Sequence, residues 1–278
     1  MSTSVSRMLI RPILLTAVTL SSLSPALAKD NSTYGRPDLE ITSPPPTTAP
    51  APQLLSGNME ALLASLPARM QRLERLPAGE LRSASVMAAL AELLAAAAGL
   101  GKEQGQSSML AIVNAVSVMR NADRVIRATP DIPERREAQM AMENLVNEMN
   151  NLLQASRSLK SSNDTMIATF RPALAGELAK YPNAALAGPA RDLIRSTETL
   201  SLAYTKLTGF IETVVSDIIE SRGNVLAGRG LANFASLDQA AAYANDPSQP
   251  FSSQTFAAQE QILLQALGTL EANYPIVK

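Results

Sequence analysis

From Ser56 onward, apolar residues return every three or four positions, and no run alternates between apolar and polar residues in the manner of a strand. That spacing commits the chain to helices. The clearest stripe lies between about residues 189 and 222, where Leu193, Thr197, Leu200, Tyr204, Leu207, Ile211, Val214 and Ile218 fall on one face. Pro189 suits a first helical turn and Gly223 suits the position just past the end. A helix of that length is about 50 Å long.

Three further stripes share the period. Val86, Leu90, Leu93, Ala97 and Leu100 form the first, and Gly99 with Gly101 is expected to end it. Met109, Ile112, Val116, Met119 and Ile126 form the second, stopped at Thr129-Pro130. The third starts at an Asp131/Glu134 capping pair and runs through Met142, Leu145, Met149, Leu152 and Leu159. Shorter helices are expected at 57–66, at 164–180 with a bend near Pro172, after the Ser236/Gln239 pair, and at 253–272. Long helices joined by short turns pack side by side in opposite directions. The predicted fold is therefore all-α: an elongated antiparallel bundle of four long helices with shorter helices at its ends. The alanine-rich stretch at 87–100 is too short and too interrupted by Glu92 to span a membrane, and reads as a core helix.

Ahead of the bundle the composition changes twice. Residues 1–28 carry Arg7 and Arg11, then an apolar stretch at 13–23, then Ala26-Leu27-Ala28, the pattern of a cleaved secretory signal. Residues 29–55 are rich in Pro, Thr, Ser and Ala, which favours an extended polyproline-like spacer. Residues 56–278 make the helical domain. The expected location is the periplasm or the medium, with no transmembrane segment after cleavage.

The chain has no cysteine, no histidine and no tryptophan. Without cysteine, the core alone must hold an exported fold together, and about 225 residues suffice for that. The missing histidine removes Ser-His-Asp catalysis, histidine-ligated zinc or haem, and the Glu-x-x-His di-iron sites that helical bundles often build. No catalytic, cofactor or metal residue is assigned on this reading. Loss of Arg7 and Arg11 leaves 22 basic against 25 acidic residues, a net charge of −3 that argues against nucleic acid as a partner.

Several local features remain. Residues 223–230 approach a phosphate-binding loop but have Arg229 and Gly230 where Lys and Ser or Thr are needed, and a helix rather than a strand before them. The loop nevertheless presents Arg229. Arg120, Arg124 and Arg127 form a basic stripe that suits a helix C-terminus or an anionic docking surface. Asn144, Asn147, Asn151, Gln154, Ser158 and Ser161 form an uncharged polar ridge beside an apolar stripe. Amides and hydroxyls lose less on desolvation than charges, so such a ridge can be buried against another protein.

These features predict a non-enzymatic, exported interaction or assembly protein of a bacterial envelope or secretion apparatus. Its expected partner is another envelope protein or a second copy of itself, with weak anionic contact at the basic stripe, and the partner-binding candidates are Asn144, Asn147, Asn151, Gln154, Arg120, Arg124, Arg127 and Arg229. Two alternatives stay open. A small-molecule sensor or carrier would use Met140, Met142 and Met149 to shape an apolar pocket. A carboxylate-dependent hydrolase would draw on Glu177, Glu212, Asp217 or Glu220.

Overall fold

The computed structural model describes residues 68, 71–73, 75–128, 132–182, 184–230 and 234–277. The expected signal at 1–28, the spacer at 29–55, the helix at 57–66 and the Asp131 half of the capping pair lie outside them. Among the described residues there is no strand, and the fold is an all-α helical bundle. Residues 68 and 71–73 are helical, and the helices that follow them are α1 (Glu80–Ala128), α2 (Ile132–Lys180), α3 (Ala187–Leu226), α4 (Phe234–Ala244) and α5 (Ser253–Asn273).

α1 and α2 are each 49 residues long, about 73 Å at 1.5 Å per residue. Both are longer than their stripes predict, because two expected breaks do not occur. Gly99 and Gly101 lie inside α1. A glycine within a helix costs about 1 kcal/mol relative to alanine, but here it permits a close approach. A Cβ on Gly101 would lie 2.3 Å from the Phe256 ring, whereas one on Gly105 would sit in ordinary van der Waals contact, 3.6 Å from the Phe251 carbonyl oxygen. Packing against α5 thus keeps the helix intact through its glycines. Likewise α2 continues past residue 161 to Lys180, with Pro172 inside it and exposed. α3 passes Gly223 and ends at Leu226, because Val225 adds one more buried side chain to the stripe. The chain then turns through Gly228 and Gly230, whose φ values of 69° and 77° favour glycine.

Side-chain pairs fix the directions. Arg222 to Glu143, Arg157 to Glu212 and Arg171 to Glu198 link α3 to α2 in antiparallel register. Ser83 on α1 bonds Glu177 on α2, so these two are antiparallel as well. α4 and α5 run in succession along α1 and α3. Arg120 pairs with Asp238 near one end, Lys102 pairs with Glu260 further along, and Tyr274 bonds Glu80 at the other end. The fourth rod of the bundle is therefore two helices end to end. Phe210, Tyr243 and Phe251 stack around their joint, with ring centroids 5.0 to 5.6 Å apart. α2 makes no contact with α4 or α5, so α2 and the fourth rod occupy opposite sides of the α1/α3 pair.

α1 is also long and apolar enough to cross a membrane by length and composition, yet 78% of its most apolar window is buried within the fold. Met87, Ala88, Leu90, Leu94, Ala97 and Ala98 all face the interior, in keeping with a core helix.

Candidate interaction surface

The inner face of α2 carries Met142, Leu145, Met149, Leu152, Leu159, Ile167 and Phe170, all buried. Because a helix turns 100° per residue, the positions between them point outward. Asn144, Asn147, Asn151 and Gln154 are exposed there, together with Met140, Ser161, Thr165 and Ala168. None of the four amide side chains has a hydrogen-bond partner among the described residues. Glu143, Arg157 and Arg171 of α2 sit on its flank instead, where they pair with α3.

The register set by Ser83–Glu177 and the short α1–α2 link brings residues 106–117 of α1 level with residues 143–154 of α2. α1 carries no charge between Glu103 and Arg120. Its exposed side chains there are Gln106, Ser107, Leu110, Val113, Asn114 and Ser117, and Leu110 is 71% exposed. Two helices thus present amide, hydroxyl and apolar side chains at the same height, with Glu148 the charge between them. The outer face of α3 is of the usual kind. It exposes Arg191, Arg195, Glu198, Lys206, Glu212 and Glu220.

The basic stripe is placed differently. Arg120 forks onto Asp238, at 2.5 and 2.7 Å from its two carboxylate oxygens, and so ties α1 to α4. Arg127 bonds Asp123, which holds the guanidinium charged, and lies against Gly230. Arg124 donates to Asn121 at 2.8 Å. Arg229 is exposed in the loop after α3. The structure therefore spends Arg120 and Arg127 on internal pairs and does not bring the arginines together with the α2 ridge.

Met142 and Met149 are core residues, whereas Met140 points outward and is 57% exposed. Among the carboxylates, Glu177 bonds Ser83 and Lys180, Glu212 pairs with Arg157, and Asp217 accepts from Ser236 at 2.5 Å. Glu177 and Glu212 stand about 30 Å apart along the axis by helical rise, against the 5 to 10 Å that paired-carboxylate hydrolysis requires.

Sequence reasoning missed a buried polar layer. Ser156 and Thr208 bond each other across α2 and α3 at 2.8 Å, and the Tyr204 hydroxyl donates to the Ala97 carbonyl at 2.6 Å. Burial raises the Tyr204 pKa well above the ordinary phenol value, so the group stays neutral. Asn163, 3% exposed, has neither amide atom paired. The available signal was Ser156 and Asn163 standing at heptad spacing where the stripe calls for apolar residues. Comparison with protein-family models, with curated proteins and with solved structures finds no match for this chain.

Proposed function

We propose that this chain is an exported, non-enzymatic interaction protein of a bacterial envelope or secretion apparatus, and that it docks its partner through the outer face of α2. The observation that carries this reading is the run of uncharged, unpartnered amides from Asn144 to Gln154, level with the charge-free stretch of α1. A solvated helix face ordinarily carries Lys and Glu, as α3 does. Charged residues are depleted at the centre of protein interfaces, because stripping water from a charge costs more than stripping it from an amide. Exposed Met140 adds adaptable apolar area to the outer face of α2, and exposed Leu110 does so on α1. The leader-like segment at 1–28 and the absence of histidine and cysteine support export and a binding role rather than catalysis.

The test is capture of a stoichiometric partner from envelope extracts by the intact mature chain. Changing Asn147 and Asn151 together to Glu is expected to reduce capture at least tenfold while leaving the melting temperature within about 1 °C, since both side chains are exposed. Thr205→Glu on α3 serves as the control and should not alter capture. Equal capture by all three proteins would refute the assignment of the face.

A further inference from the structure

Three helix registers close on one layer in the middle of the bundle. The Tyr204 hydroxyl on α3 reaches the Ala97 carbonyl on α1, at 2.6 Å. The α1–α2 register fixed by Ser83–Glu177 sets Asn163 level with Ala97. The α2–α3 register fixed by Ser156–Thr208 and by the neighbouring Asp164–Ser201 bond sets Asn163 level with residues 201–204. Asn163 and Tyr204 therefore belong to the same layer without bonding each other. The buried residues around that height include the small Ala95, Ala97 and Ala98 on α1 and Ala203 on α3, beside larger ones such as Leu94 and Leu200.

A carboxamide can donate two hydrogen bonds and accept two, yet both Asn163 Nδ2 and Oδ1 lack a partner. Buried amides are paired in folded proteins, by protein groups or by bound water. The Tyr204 hydroxyl spends its proton on Ala97, which leaves its oxygen free to accept. We propose that Asn163 and the Tyr204 hydroxyl hold an ordered internal water between α1, α2 and α3. The water accepts from Asn163 Nδ2 and donates to Tyr204 Oη. Burial raises the phenol pKa well above its ordinary value, so the hydroxyl keeps its proton for Ala97 at neutral pH. The site also pins register: sliding α2 by one turn would carry the amide away from Tyr204 and put the apolar Leu159 or Ile167 in its place.

Oxygen-17 magnetic relaxation dispersion of water, measured on the whole folded chain, counts internal waters that stay bound longer than the protein tumbles. The wild type should show such a water, and Asn163→Leu, which keeps the branched shape but carries no polar atom, should show one fewer. Tyr204→Phe removes the acceptor from the other side and should lose the same water or shorten its stay at least tenfold, which keeps the idea testable if the leucine variant does not fold. A wild-type protein without a long-lived water overturns it, as does a count unchanged in a folded Asn163→Leu variant. Native mass spectrometry showing a small organic molecule bound one to one, and lost on Asn163→Leu, would replace water with that ligand and equally overturn it.

Discussion

The seam between α1 and α5 and the seam between α2 and α3 hold their helices by different means. Along α1–α5 the backbone itself is the packing surface: Gly101 meets the Phe256 ring, Gly105 meets the Phe251–Ser253 backbone, and Tyr204 touches Phe256 edge-on with ring centroids 5.1 Å apart. Along α2–α3 the centre is mostly apolar, crossed by the buried Ser156–Thr208 bond, and the flank is a row of ion pairs reaching from Arg222–Glu143 to Arg171–Glu198. The first seam fixes register by shape and has no room for a side-chain atom at Gly101. The second fixes it by one buried hydroxyl pair and by matching charges that water also solvates, and its energy rests on the buried apolar side chains beneath.

The largest effect should come from filling the first seam. Gly101→Leu places its Cβ inside the Phe256 ring and must push α5 away or force both side chains off their rotamers, costing about 3 kcal/mol. Denaturant unfolding measures it, and a midpoint equal to wild type would show that the close approach carries no weight. On the second seam, Arg157→Ala breaks a pair whose partners are 45% and 55% exposed, and should cost less than about 0.5 kcal/mol by the same measurement. A cost near that of Gly101→Leu would erase the contrast between the seams.

The smallest effect belongs to the joint of the fourth rod. Asp246 accepts from the Ser248 hydroxyl at 2.7 Å, from the Ser248 backbone N–H at 2.9 Å and from the Gln249 amide at 2.7 Å, and these bonds hold its carboxyl below the ordinary value near 3.8. A depressed carboxylate adds stability above its unfolded pKa, and that stability fades as pH falls through the folded one. The turn between α4 and α5 should therefore loosen below about pH 4, read as faster hydrogen exchange at residues 246–252 relative to α5 itself. Asp246→Asn should exchange with no such acid step. An identical step in both proteins would place the titrating group elsewhere.

The helical class and the inner faces of α2 and α3 were legible in the sequence, because a stripe such as Leu193 to Ile218 depends only on spacing. The long α1 was not. Gly99 and Gly101 are helix breakers by local preference, and only α5, which brings Glu260 over Gly99 and Phe256 over Gly101, turns them into a contact. The exposed amides from Asn144 to Gln154 followed from their spacing beside the apolar stripe. Their counterpart on α1 did not, since its significance depends on an antiparallel register that no local pattern encodes. Arg120 was similarly opaque: its partner Asp238 is far away in sequence, so a face that looks freely cationic is partly neutralised in the fold.

The covering of α1 by α5 also dictates an order of events during synthesis. The alanine- and glycine-rich flank of α1 leaves the ribosome long before the helix that seals it, and closing so wide a loop is slow compared with forming local helix. Until Phe256 arrives, that greasy strip stands bare and invites a chaperone or a neighbouring nascent chain. A stop codon ahead of residue 253 should therefore yield aggregates, not a shorter soluble bundle.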